Sequence, residues 1–367
     1  MDDRRADDLL TDLVEHYSPS TQEGPAVDYL VEQMEMLGFE AHVDEAGNAV
    51  GVRRAARDIA AGGSAIRGGP GERTLLLLGH IDTVPGQIEV RRQGDLLYGR
   101  GTVDAKGPLA AFVCAAARAA LPPNLCVMVV GAVEEEAATS KGARALLDRL
   151  HPDAVVVGEP SGWNRITVGY KGRLLLDYHL RRELAHTAGP QASVCEEAVA
   201  FWQRVAAYAS GWNAGRESMF EQLSPSLRSI RSSSDGLFEE ASMTLGFRLP
   251  PGIDIDALQS RLLALGRDAQ QRFRGREVAF RASKNTPLVR AFLRAIRAQG
   301  ERPAFQVKSG TSDMNVVGPV WECPILAYGP GDSSLDHTPH EHIDLLEYRR
   351  SIDVLTSVLN SMQFTAV

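Results

Sequence analysis

Histidines, aspartates and glutamates recur in this chain at spacings that suit cation chemistry. A His-x-Asp pair stands at His80 and Asp82, and a lone aspartate, Asp104, lies in a glycine-rich turn at 99–107. Three glutamates run together at Glu134, Glu135 and Glu136. A fourth, Glu159, sits between Gly158 and Pro160, and His337, His340 and His342 crowd one stretch near the C-terminus. Imidazole and carboxylate are the ligands that Zn2+ and related divalent ions take. Two histidines and three carboxylates hold two such ions if one carboxylate bridges them. A two-ion site polarises a carbonyl and supplies hydroxide near neutral pH. A further carboxylate must then carry the proton from water to a leaving amine. Adjacent glutamates suit that division, one binding metal while its neighbour faces the water. Taken singly, each segment is ordinary: a surface pair, a solvated helix start, a turn. The glycine-rich turn lacks both the Gly-x-Gly-x-x-Gly spacing and a Gly-Lys-Ser/Thr ending, so a phosphate-binding loop is excluded. Structural zinc sites are closed and usually cysteine-rich, and this set is neither.

The elements that must position these residues follow an α/β pattern. Apolar runs at 74–78, 126–130, 154–157 and 324–328 are each followed by the His, Glu or Asp-His segments. Helical stretches such as 108–120 and 141–150 lie between several of them. Runs apolar at every position fit strands buried on both faces. In such sheets ligands sit beyond the carboxyl ends of the strands, so distant segments converge on one pocket. Residues 7–37 read as a helix interrupted at Pro19, and 53–73 as an exposed connector. The middle of the chain differs. Residues 166–180 and 241–249 alternate like half-exposed strands, 192–208 and 254–273 read as helices, 276–281 as a strand and 213–240 as polar and Ser-rich. The C-terminal part returns to helix at 287–299 and 344–362. The expected architecture is a mostly parallel sheet flanked by helices, formed by 1–165 and 283–367, with a small α+β domain inserted at 166–282.

The 367 residues suffice for about two domains. With 47 acidic against 39 basic side chains the net charge is −8, a poor match to general nucleic-acid binding. No apolar run approaches a membrane span, and the N-terminus does not read as a signal peptide. Four scattered cysteines with no C-x-x-C pair suit free thiols in a reducing compartment, hence a cytoplasmic protein.

The combination of Gly-His-Ile-Asp-Thr-Val-Pro at 79–85, Gly-Arg-Gly-x-x-Asp-x-Lys-Gly at 99–107, the Glu triplet, Gly-Glu-Pro at 158–160 and Asp-His-Thr-Pro at 336–339 resembles the M20 zinc aminoacylase/carboxypeptidase family along essentially the whole chain. The resemblance implies a hydrolase of linear amide bonds holding two divalent ions, zinc first, with cobalt or manganese as alternatives. It implies His80 and Glu159 as ligands of one ion, His337 of the other and Asp104 as the bridge. Asp82 would orient His80, Glu134 would be the general base and Glu135 a ligand, with His340 and His342 as rivals to His337. It further implies that the inserted domain forms a homodimer and lends His186 to the partner's site as an oxyanion donor. Gly310 and Thr311 would contact the carboxylate end of the substrate. Gly-Tyr-Lys-Gly-Arg-Leu-Leu at 169–175 and Gly-Thr-Ser-Asp-Met-Asn-Val at 310–316 resemble one branch of the family. That branch releases lysine, in some members ornithine, from the C-terminal glutamate side chain of an acidic amino-group carrier protein in lysine and arginine biosynthesis. A basic rim of Lys171, Arg173, Arg181, Arg182 and Lys308 would steer such a partner. The competing readings are an N-acyl-amino-acid deacylase of the acetyl-ornithine or succinyl-diaminopimelate type, a small-peptide peptidase, or a non-catalytic carrier-binding protein.

Overall fold

The computed structural model describes residues 1–55, 72–186 and 189–362, so most of the connector read at 53–73 lies outside the described residues. The chain forms two units. The larger comprises residues 1–169, 282–307 and 312–367, and the smaller 170–281 and 308–311. The inserted unit therefore begins after most of the strand Arg165–Tyr170, later than the boundary read at 166, and also takes in the short segment 308–311.

The larger unit is built on a sheet whose strands run in the order Glu40–Val43, Ala49–Arg53, Leu125–Ala132, Arg73–His80, Ala154–Gly158, Ile325–Ala327 and Arg165–Tyr170. The four from Leu125–Ala132 to Ile325–Ala327 are parallel to one another. These are the all-apolar runs of the sequence. Leu75 to Leu78, Val127, Val129 and Val155 are buried completely, as strands covered on both faces must be. Helices Lys106–Arg118 and Leu345–Ser361 pack together and feed Phe112, Tyr348 and Ile352 into the same core. Asp344 caps the latter helix by accepting the Leu346 amide at 2.7 Å. The helix read at 7–37 is two helices, Asp3–Glu15 and Gly24–Met36, separated around Pro19. Among the described residues no helix is long and apolar enough to cross a membrane.

The smaller unit is a four-stranded antiparallel sheet, in the order Ser224–Ser234, Phe238–Leu249, Gly172–Glu183 and Gln270–Glu277, with helices Val194–Trp212 and Ile255–Gly266. One face carries Leu174, Leu176, Tyr178, Met243, Leu245 and Phe247 into a core shared with Phe201, Leu258 and Leu262 of the helices. The stretch read as polar and Ser-rich contains a strand, and the helix read to 273 stops at Gly266, where the next strand begins at Gln270. Lys171, read as part of a basic rim, is instead fully buried, and its ammonium donates to the Met219 carbonyl at 2.9 Å and the Ser224 hydroxyl at 3.0 Å.

Candidate active site

The strand register brings the chemistry together. In the parallel pairs Gly79 is opposite both Gly131 and Gly158, and His80 is opposite Ala132. The residues that follow those positions, Glu134 to Glu136 and Glu159, thus leave the sheet at the same edge as His80. Ile325–Ala327 runs parallel to Ala154–Gly158, and its outgoing loop carries His337.

Asp104 arrives from the turn that precedes helix Lys106–Arg118. That turn is set by a residue the sequence reading did not single out. The buried Glu341 carboxylate accepts the amides of Gly101, Val103 and Asp104 at 3.0, 2.9 and 3.1 Å, and pairs with Arg100 at 2.7 Å. Gly101 has φ +89°, and a Cβ there would stand 2.8 Å from the Thr83 methyl, so only glycine fits. The signal available in the sequence was a glutamate flanked by His340 and His342. Those histidines stay outside the cluster. His342 Nδ1 donates to the His340 carbonyl at 2.7 Å, and its ring lies tilted against that of Tyr98.

Asp104 is the meeting point. One of its oxygens is 3.1 Å from His80 Nε2 and the other 3.1 Å from His337 Nε2. His337 Nε2 is also 2.8 Å from Glu136 Oε1, and the ligand atoms of Asp104, Glu136 and His337 all lie within 4.8 Å of one another. Glu136 therefore occupies the place read for Glu135. Glu134 turns away: it has φ +58°, accepts the Thr139 hydroxyl at 2.8 Å and lies 3.6 Å from Lys141. The glutamate beside His337 and Asp104 is thus Glu136, whereas Glu134 faces Thr139 and Lys141. The left-handed residue at the strand exit reverses which glutamate side chains face the cluster. Glu135 is the remaining carboxyl on that side, within electrostatic reach of His80, Asp313, Glu159 and Glu136.

Asp82 is wholly buried and does more than face His80. It lies 3.5 Å from His80 Nδ1, accepts the Glu135 amide on one oxygen and the Glu136 amide on the other, both at 3.0 Å, and takes the Ser20 hydroxyl at 2.7 Å. The two preceding amides are also held by side chains, Val133 by Asn48 and Glu134 by Glu23. Four consecutive N–H groups are thus fixed, which fixes the turn that carries the glutamates.

Electrostatics describe an anionic pocket that wants cations. Burial, then the Asp313, Glu159 and Glu136 carboxylates, lift the Glu135 carboxyl well above the ordinary range, against the pull of His80. Burial and Asp104 raise Glu136. For Asp104 burial works upward, but the hydrogen bonds from His337 and His80 hold it well below the usual carboxylate range. Asp104 and Glu136 in turn raise His337 to about 10. His80 is raised by Asp104 and Asp82 despite its burial. Both imidazole Nε2 atoms face one carboxylate, and a divalent ion on either side of Asp104 would take the place of such a contact. The donor set, imidazole plus carboxylate without thiolate, fits Zn2+, Co2+ or Mn2+.

His186 is an exposed residue of the smaller unit. Gly310 and Thr311 also belong to that unit, where the Thr311 hydroxyl accepts from Arg248 at 3.3 Å. Arg248, in Phe247-Arg248-Leu249-Pro250, is a second residue the sequence reading passed over, and it sets a guanidinium beside the hydroxyl read as touching a substrate carboxylate.

Residues 76–361 match the model of peptidase family M20/M25/M40. The chain is 44% identical to a LysW-lysine hydrolase of Deinococcus radiodurans, covering 98% of each chain. It is 28% identical to a LysW-lysine/LysW-ornithine hydrolase of Saccharolobus islandicus, covering 94% of this chain and 92% of that one. Its fold is similar to that of the M20 metallo-carboxypeptidase Sso-CP2 from Sulfolobus solfataricus (TM-score 0.75, 19% identity, 98% and 99% of the two chains). It is also similar to that of YXEP from Bacillus subtilis, described as a dinuclear metal-binding peptidase (TM-score 0.68, 13% identity, 98% and 97%).

Proposed function

The chain belongs to peptidase family M20/M25/M40, and from that premise we propose that it is a metal-dependent amide hydrolase releasing lysine from the C-terminal glutamate side chain of an amino-group carrier protein of the LysW type. The observation that carries the reading is the convergence of His80 and His337 on the two oxygens of Asp104, with Glu136 beside them, in a chain 44% identical to a LysW-lysine hydrolase.

His80, Asp104 and Glu159 would hold one divalent ion, and Asp104, Glu136 and His337 the other, with zinc proposed and cobalt as the alternative. Ions bound there polarise the scissile carbonyl and lower the pKa of water. Glu135 takes the proton of the attacking water and delivers it to the departing amine, a role for which a carboxyl raised by burial is suited. Asp82 keeps His80 and the Glu135–Glu136 backbone in register with each other. Thr311 and Arg248 receive the substrate's carboxylate end, since a guanidinium pairs with it in two hydrogen bonds. For His186 we keep the role implied by its sequence context, hydrogen bonding to the developing oxyanion in the site of a second subunit.

The deciding measurement is free lysine released from a purified LysW-type conjugate, with and without chelator. Chelator-sensitive release supports the reading. Faster turnover of acetyl-ornithine or of small peptides than of the conjugate would replace it. The name of the Saccharolobus islandicus relative favours ornithine as a second leaving group, read in the same assay with the ornithine conjugate. Mixing inactive His186→Ala subunits with inactive Glu135→Gln subunits tests the shared site, because only a site built across two subunits regains activity on mixing.

A further inference from the structure

Two loops of the larger unit carry one proposed ligand each, Glu159 after strand Ala154–Gly158 and His337 after strand Ile325–Ala327. The strands pair in parallel, with Leu326 opposite Val156 and Ala327 opposite Val157. The pairing runs on past their ends. The Tyr328 amide donates to the Val157 carbonyl at 2.9 Å, and the Ser161 amide to the Gly329 carbonyl at 3.0 Å. Gly329 lies so close to its neighbours that a Cβ would stand 2.9 Å from the Glu159 carbonyl oxygen and 2.6 Å from the Pro108 Cβ. Gly331, with φ +105°, packs on the Asp104 turn, where a Cβ would stand 2.9 Å from the Val103 Cγ1.

From there a side chain continues the ladder. Glu347 stands in the first turn of helix Leu345–Ser361. A glutamate in that place ordinarily serves its own helix, but Asp344 already accepts the Leu346 amide at 2.7 Å and the Glu347 amide at 3.4 Å. The Glu347 carboxylate serves the loops instead. Its Oε1 accepts the Trp163 amide at 3.0 Å and the Gly331 amide at 3.2 Å. One oxygen thus joins the loop of Glu159 to the loop of His337. Trp163 is held on two further sides. Its carbonyl accepts the Tyr328 hydroxyl at 2.6 Å, and its ring centre lies 4.9 Å from the Arg350 guanidinium. Burial, opposed by both amides, raises the Glu347 carboxyl above its ordinary range, a cost that capping the helix alone does not require.

We propose that Glu347 is a positioning residue for the ion centre. Through the Trp163 and Gly331 amides it fixes Glu159 and His337 at one separation, so that both reach an ion beside Asp104 at the same time. The inference rests on the function proposed above, which gives Glu159 and His337 to different ions. Glu347 acts as an acceptor of fixed reach, and its oxygen rather than its charge is what the centre requires. Such partners outside a ligand shell orient the ligands and set metal affinity.

The test titrates Zn2+ and Co2+ into the chelator-treated full chain by calorimetry, for the native protein, Glu347→Ala, Glu347→Asp, Glu347→Gln and Asn360→Ala. Asn360, in the last turn of the same helix, accepts the Ala120 amide at 2.8 Å and serves as the control for a lost helix–loop bond. The native chain should take two ions. In Glu347→Ala at least one should bind about tenfold to a hundredfold more weakly, and the visible absorption of the cobalt form should change. On the lysine conjugate kcat should fall while KM stays within about twofold of native. Glu347→Asp keeps the charge but is one methylene too short for both amides, and should follow Glu347→Ala. Glu347→Gln keeps the acceptor oxygen and should bind ions within about fivefold of native. Asn360→Ala should bind ions as the native chain does, even where its melting temperature falls. Native affinity in Glu347→Ala or Glu347→Asp, a Glu347→Gln chain as weak as Glu347→Ala, or an equal loss in Asn360→Ala overturns the proposal and leaves the proposed function standing. If Glu347→Ala does not fold by circular dichroism, Glu347→Asp decides alone. A native chain that binds two ions yet releases no lysine from the conjugate removes the proposed substrate, and the ion affinities of the variants decide on Glu347 as before. A native chain that binds no divalent ion overturns both.

Discussion

On the proposed mechanism, replacing Glu135 by glutamine removes the carboxyl assigned to the proton shuttle while leaving Asp104, Glu136 and His337 in contact. Turnover should fall about 10³-fold with metal content unchanged by elemental analysis. Glu134→Gln should stay within a few-fold of native, because that side chain already serves Thr139 and Lys141. A native-like Glu135→Gln enzyme beside a dead Glu134→Gln enzyme would return the base to the position first read for it. The sequence announced that a glutamate pair was needed but could not say which pair. Three identical letters carry no phase, and the phase is set by the backbone of Glu134. A second residue-scale outcome concerns acid stability. Asp177 is held below its ordinary carboxylate range by the Arg274 hydrogen bonds. A group depressed on folding stabilises above its unfolded pKa of about 3.9 and loses that contribution as pH falls through the folded value. The melting temperature of Asp177→Asn should therefore lie below native at neutral pH and converge with it toward pH ~2. A gap that stays constant would sever the link.

At the scale of elements, the apolar strands were legible because burial on both faces leaves no alternative to continuous hydrophobicity. Ser224–Ser234 was not. It is an edge strand whose residues are largely exposed, so no apolar alternation marks it. The first part of Gln270–Glu277, the opposite edge, hid in a helix reading for the same reason, while its end falls in the strand read at 276–281. The Ser-Lys-Gly-Ala-Arg stretch at 140–144 has a packing explanation. Gly142 sits at the start of helix Lys141–Leu146, and a Cβ there would meet the Asn48 Oδ1 at 2.4 Å and the Val133 amide nitrogen at 2.5 Å. Gly142→Ala should dislodge Asn48 from the turn that bears the glutamates. We expect a loss of about 1–3 kcal/mol in denaturant melts, together with a fall in kcat. Native stability and activity in that variant would show that the turn holds itself.

Across the whole molecule, the site draws on residues from 20 to 341, which explains why the family pattern spans the chain and no short motif suffices. Divalent ions bound to the folded form alone should raise the melting temperature with concentration. The gain is about 2.7 kcal/mol at a hundred times Kd, and chelation should reverse both that gain and amide hydrolysis. A melting temperature indifferent to zinc and cobalt would argue against a folded-state ion site. The Glu341 carboxylate has a temporal consequence. It holds amides of residues more than two hundred positions earlier, so a nascent chain carries His80, Asp104 and Glu136 long before the brace for Asp104 has been synthesised. The Asp104 turn can be braced only once residue 341 has left the ribosome, and a message truncated before Glu341 encodes the ligands without the carboxylate that holds that turn.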